Sequence, residues 1–188
     1  MTTWQLDNAH TQVNFSAKHM MVTTVRGTFH DVEGTIELFE ADPTRSHGEF
    51  RVAAASIDTN FAARDTHLRS ADFFDAETYP WITFRSTSIR QTGDDAFEVR
   101  GDLTIRDVTR PATFDVQLDG IVPGMDGRRH AGLSARTKIA RDDWGLNWNV
   151  ALEGGGWLVS KEITLDIAIA ADEVAAVEPA EVLTTASA

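Results

Sequence analysis

Apolar and polar residues exchange places every second position along most of this chain, the pattern of a strand with one buried face. Val13, Phe15 and Ala17 alternate with Asn14, Ser16 and Lys18. Phe97, Val99, Gly101, Leu103 and Ile105 share one phase against Glu98, Arg100, Asp102, Thr104 and Arg106. The two-residue period returns at Phe114, Val116 and Leu118, then at Leu133, Ala135, Thr137 and Ile139, and last at Ile163, Leu165, Ile167 and Ile169. Further strands are expected at Trp4–Asp7, over Val25–Phe39 and over Glu49–Ile57, with turns at Asp7–Asn8 and Asp42–Pro43. Gly27 and Gly34, set among β-branched and aromatic residues, mark bends, bulges or close backbone approaches in a curved sheet.

Arg64–Phe84 is the one long segment that does not alternate. Asn60 is a candidate cap for a helix from about Phe61 or Ala62 toward Ala71, with Asp65 in or near its first turn. Pro80 cannot continue a helix and biases Tyr79 to extended geometry. The pattern therefore predicts some eight to nine antiparallel strands and a short helical insert near 61–72, with no parallel βαβ rhythm. An all-β barrel or sandwich follows. The inward phases mix Phe and Ile with small residues (Ala17, Ala54, Gly101, Ala135). That mixture favours a barrel with room for a small ligand over a sandwich filled from two faces.

Composition narrows the function. The 188 residues fit one domain, large enough to bury about 70% of its unfolded surface. That domain is expected over 1–173, followed by a low-complexity disordered tail over 174–188. There is no cysteine, so disulfides, thiol chemistry and Cys-type zinc sites are excluded. A net charge of -12 and a pI near 4.8 argue against nucleic acid and against a basic membrane-docking face. The longest apolar run, Ile167–Ala171, is far short of a membrane span. MTTWQLDNAH has neither a basic start nor an apolar core, so no secretory signal is expected and the cytoplasm is the default location. A homodimer is compatible with the sequence, although no stretch marks an interface.

Candidate chemistry is sparse. His10, His19, His30, His47, His67 and His130 never pair at local metal-ligand spacing; the alternative is a site assembled from scattered strands. His19 and His67 stand where the strand pattern breaks. Arg64, Asp65, His67 and Arg69 resemble acid–base equipment, but no Ser nucleophile sits in a recognisable elbow. Ion pairs and caps that fix the insert, with Arg69 pinning the next turn, explain them better. Gly154–Gly156 lacks the Lys-Ser/Thr and the strand–loop–helix setting of a phosphate loop. Trp81, Trp144, Trp148 and Trp157 are costly to leave in water, so they line an apolar pocket or fill core. No cofactor, metal or catalytic residue is expected.

Five segments, WQLDNAHTQVNFSAKHM, VRGTFHDVEGTI, SIDTNFAARDTHLRSADFFDAETYPWITF, GDLTIRDVTRPATFDV and ARTKIARDDWGLNW, cover most of Trp4–Ala170. Together they resemble the YceI-like, polyisoprenoid-binding family of bacterial lipid-binding proteins; RDTHLRSADFF followed by YPWITF is the most specific match. The resemblance implies an extended, lipocalin-like antiparallel barrel with a long apolar interior. It also implies a non-enzymatic protein that binds long isoprenoid tails or similar amphiphiles. Two departures stand out: the absent signal peptide, where many members are exported, and Asp107, where the family commonly has Gly in LTIRG-type turns. The expected function is to carry or store such a lipid. An enzyme acting on a lipid through His19, His67 and Asp65 is one alternative, and a stress-related binding module is another. The ligand-contact candidates are Phe15, His19, Phe29, His67, Phe73, Phe74, Trp81, Phe84, Leu103, Phe114, Trp144, Trp148 and Trp157. Ala17 and Leu133 are further lining candidates, and His19 and His67 are the polar positions expected near a head group.

Overall fold

A computed structural model of the protein describes residues 1–174. Its strands are β1 (Thr2–Leu6), β2 (Gln12–His19), β3 (Thr23–Phe29), β4 (Val32–Leu38), β5 (His47–Ala53), β6 (Ile57–Asp58), β7 (Trp81–Gln91), β8 (Ala96–Ile105), β9 (Val108–Pro123), β10 (Arg129–Ala140) and β11 (Val159–Glu173). One helix, α1 (Ala62–Arg69), joins β6 to β7. The order β1-β4-β5-β7-β8-β9-β10-β11 closes on itself through the β1–β11 pairing, giving an eight-stranded antiparallel barrel. β2, β3 and β6 continue the sheet beyond β11 as a flap.

The flap arises because β1 and β2 divide one edge of β11 between them. Leu6 pairs with Ala171, and Gln12 pairs with Ala168. Between them the buried Thr11 hydroxyl takes over the ladder, accepting from Ala170 N at 3.1 Å and lying 3.2 Å from Ala170 O. The segment expected as one strand over Val25–Phe39 breaks in the same way at His30–Asp31. β3 stays with β2, and β4 crosses to β1. Glu49–Ile57 likewise divides, so that β5 pairs with β7 and β6 with β3. Splitting these strands raises the expected eight or nine to eleven while leaving eight in the barrel.

α1 is held without the expected Asn60 cap. Asn60 sits in left-handed backbone at φ 59°, and the cap position falls on Phe61, whose side chain caps nothing. The buried Asp65 carboxylate instead reaches back to accept from Thr59 N at 2.9 Å and Thr59 Oγ1 at 2.5 Å. Arg64 Nε and Nη2 donate to the same threonine. These are hydrogen bonds, not the ion pairs expected for Arg64 and Asp65. Arg69 pins the preceding turn by donating to the carbonyls of Ala55 and Ile57.

One end of the barrel is shut by Trp4, 1% exposed, packed with Ala131 and Ala171. Two further apolar clusters face each other across the interior. Leu103, Ile105, Phe114, Ala135, Trp144 and Leu146 form one, and Leu6, Val13, Phe29, Val32 and Ile57 the other. Phe74, Ile82 and Ile167 pack against both. β11 runs to Glu173, and Val174 N still donates to Thr3 O at 2.8 Å. The tail expected over 174–188 otherwise lies outside the described residues.

Candidate ligand-binding site

Between the two clusters lies a cavity of about 640 Å³, within the roughly 300–1,000 Å³ typical of ligand pockets. It follows the barrel's length, from Ile89, Val99 and Val116 toward one end to His19, Arg141, Trp148 and Leu158 at the other. The two-residue period builds its wall: Ile163, Leu165, Ile167 and Ile169 of β11 all face it, as do Leu133, Ala135 and Ile139 of β10. On β7 the inward set is Ile82, Phe84 and Ser86. A bulge between Ser86 and Ser88 then shifts the phase so that Ile89 faces in. The phenylalanine rings lie flat because glycines face them. A Cβ on Gly27 would stand 2.5 Å from the Phe15 ring, and one on Gly101 would collide with Phe84.

Ten of the thirteen candidate contact residues line this cavity: Phe15, His19, Phe29, His67, Phe73, Phe74, Phe84, Leu103, Phe114 and Trp148, together with Ala17 and Leu133. Three do not. Trp81 precedes the inward Ile82 and therefore points outward, where the Arg51 guanidinium lies 4.5 Å from its ring centre. Trp144 is buried beside the cavity, in a 3-10 turn over Arg141–Trp144, with its indole N–H donating to Leu103 O at 3.0 Å. Trp157 is half-exposed, at an isolated bridge to Ala151.

The mouth is framed by α1, the 145–158 loop and the tip of the β2–β3 hairpin. His67 stacks edge-on against Trp148, 4.5 Å between ring centres, and its Nε2 lies 2.8 Å from Asp72 Oδ2. The polar partner of His67 is thus supplied by its own neighbourhood. Asp65 is turned to Thr59 and does not reach the wall, so His19, His67 and Asp65 do not converge on one point. Met20 N donates to Leu158 O, and Met20, Met21, Val22, Phe61, Val150 and Trp157 leave large apolar surface exposed around this end. Among the described residues, no group of three or more His, Cys, Asp or Glu could hold a metal, and no helix is long and apolar enough to cross a membrane.

Arg141 is the functional candidate that sequence reasoning missed. It is 5% exposed and lines the cavity. Its Nε donates to Ser160 O at 3.0 Å and its Nη1 to Leu146 O. The Ser160 carbonyl is available because β11 is irregular between Val159 and Ile163. Burial pulls the guanidinium's pKa below its ordinary value, and Asp142 opposes this only in part. The signal is present in the sequence: the phase of Leu133, Ala135, Thr137 and Ile139 carries on to position 141.

A family model described as the YceI-like domain matches residues 4–171. A UPF0312 protein of Staphylococcus aureus is 35% identical over 167 residues, covering 88% of this chain and 95% of the relative. The crystal structure of Burkholderia cenocepacia BcnA superimposes with a TM-score of 0.75 at 21% identity, covering 88% of this chain and 98% of that one. A polyisoprenoid binding domain from Saccharophagus degradans, implicated in plant cell wall breakdown, superimposes with a TM-score of 0.71 at 13% identity, covering 93% and 100%. At these identities both structures speak to the fold alone.

Proposed function

The chain belongs to the YceI-like family, and on that premise we propose that it binds a long-chain isoprenoid lipid in its barrel cavity and carries or stores it. The observation that carries this reading is the cavity wall, predominantly apolar from Ile89 to Leu158 and, among the described residues, free of Asp and Glu. A prenyl chain offers no hydrogen bonds, so its affinity comes from buried apolar area, about 0.8 kcal/mol per CH₂. Such a wall discriminates length and girth better than chemistry. In this reading Phe15, Phe29, Phe73, Phe74, Phe84, Leu103 and Phe114 contact the chain, while His19, His67 and Trp148 stand near the head. A protein of the same fold is a polyisoprenoid binding domain, which makes that ligand class the first to test. The family supports binding rather than catalysis.

The test is organic extraction and native mass spectrometry of protein purified without added lipid, followed by titration with a prenylquinone monitored through tryptophan fluorescence. A co-purifying long-chain species or saturable one-to-one binding is expected. Recovering no lipid and seeing no response to the quinone would sink the proposal.

A further inference from the structure

The chain carries 29 Asp and Glu against 17 Lys and Arg, yet among the described residues no acidic side chain reaches the cavity. The ionisable groups on its wall are Lys18, Arg64, Arg141, His19, His47 and His67. Five of the six histidines lie beside a carboxylate; among the described residues His19 alone does not. Lys18 is exposed and donates to Thr24, and Arg64 is half-buried and donates twice to Thr59; of these three cations Arg141 alone is buried, at 5% exposure. Arg141 has no carboxylate within ion-pair distance among the described residues, and its Nη2 has no hydrogen-bond partner there. The ladder sets His19 opposite Val159, next to the Ser160 carbonyl that Arg141 holds. The one fully buried side-chain polar atom without a hydrogen-bond partner among the described residues, Arg106 Nε, lies outside the cavity wall.

We propose that Arg141, with His19 beside it, is an oxyanion site, and that the amphiphile taken up by this cavity carries an acidic head group, a carboxylate or a phosphate. This rests on the lipid-binding reading above and adds the chemistry of the head. A guanidinium buried without a counter-ion carries a desolvation cost that an incoming anion offsets. A neutral alcohol or carbonyl would accept a hydrogen bond and leave the charge uncompensated, whereas a carboxylate or phosphate oxygen accepts the bond and balances the charge, with the bidentate geometry that suits a guanidinium. Two of the guanidinium's donors are already fixed on backbone carbonyls, so the free Nη2 is held in place before the ligand arrives. Such preorganisation favours binding because little ordering remains to be done.

The experiment compares three probes with one geranylgeranyl tail: the carboxylic acid, the monophosphate and the alcohol, each titrated calorimetrically into the full chain. At least one acidic probe should bind about 10-fold tighter than the alcohol or better, a ratio equivalent to ~1.4 kcal/mol. The better of the two acids identifies the head. Arg141→Met should bring the acid-to-alcohol ratio to about one, Arg141→Lys should retain part of it, and Lys138→Met, on the outer wall, should leave it unchanged. Equal binding of all three probes to the unaltered chain overturns the oxyanion site while the lipid-binding reading stands. Failure of all three to bind overturns both. The probe comparison needs no variant, so it decides the matter even where Arg141→Met does not fold.

Discussion

At the residue scale the cavity depends on what is missing as much as on what is present. Gly27 faces Phe15 across the β2–β3 ladder, and Gly101 lies beneath the Phe84 ring. Neither glycine is there for an unusual backbone angle; each leaves room for a ring to lie against the sheet. A Cβ at Gly101 would collide with both the Phe84 ring and the Arg85 carbonyl oxygen, so Gly101→Ala would strain the β7–β8 ladder and drive Phe84 toward the cavity, where Phe114 already stands 5.0 Å away, centre to centre. Overpacking of this kind costs about 1–3 kcal/mol. Urea unfolding should show that loss together with weaker lipid binding; unchanged stability and unchanged binding would show that the ring can move elsewhere. Alternation made most of the lining residues legible, since Phe15, Phe29, Phe84, Leu103 and Phe114 all fall on inward phases. It also held the correction for Trp81, which is three positions from Phe84. An odd spacing cannot place two residues on one face of a regular strand. Trp144 was less legible, because a 3-10 turn has no such period to follow.

At the element scale, strands that alternate well need not stay with one neighbour. Val25–Phe39 is expected as one strand, yet its apolar phase moves from Val25, Gly27 and Phe29 to Val32, Gly34 and Ile36, and the change of partner at His30–Asp31 is fixed by tertiary hydrogen bonds, Ala53 N to Asp31 O and His30 N to Ser56 O. No local propensity encodes them. Asn60 misled for a related reason: it has cap chemistry, but the buried Asp65–Thr59 pair settles the start of α1. Asp107 is milder still. The two-residue turn between β8 and β9 places its left-handed backbone on Arg106, φ 57°, so the aspartate meets no such demand. Near the Trp4-plugged end, β10 and β11 are joined by His130, whose Nδ1 lies 2.6 Å from Asp172 and whose Nε2 lies 3.2 Å from Asp126. The Asp172 hydrogen bond, then that of Asp126, raises the His130 pKa above its ordinary 6.5. A raised folded-state value means that this pair stabilises fully below the unfolded pKa. The contribution is lost as pH rises through the folded value. Thermal unfolding from pH 6 to pH 9 should therefore show the largest gap between the unaltered chain and His130→Gln at the acidic end. The gap should narrow toward pH 9; a gap that stayed constant instead would mean that the imidazole acts through packing alone.

At the scale of the whole molecule, a barrel whose walls enclose a cavity forgoes protein packing that a solid core would gain. Interiors are normally filled to crystal-like density, and filling a gap usually stabilises when shape allows. The inward phases predicted small residues, and the space beside Ala135 and Leu133 is the consequence. What alternation could not show is whether that space would be closed by facing rings, because closure depends on how far the barrel's opposite walls stand apart. Ala135 is 8% exposed and faces the cavity from β10. In a solid core Ala135→Phe would be an overpacking change costing about 1–3 kcal/mol. In this barrel the added ring has room, so the melting temperature of the lipid-free protein should hold or rise. Lipid binding should fall, because the ring takes the volume the chain would occupy. The ligand's own stabilisation should shrink with it, from about 2.7 kcal/mol at a hundred times the dissociation constant toward nothing. Measuring melting temperature with and without lipid, in both proteins, separates the two terms. A destabilised Ala135→Phe that still gains full stabilisation from lipid would mean that the cavity is not where the chain binds.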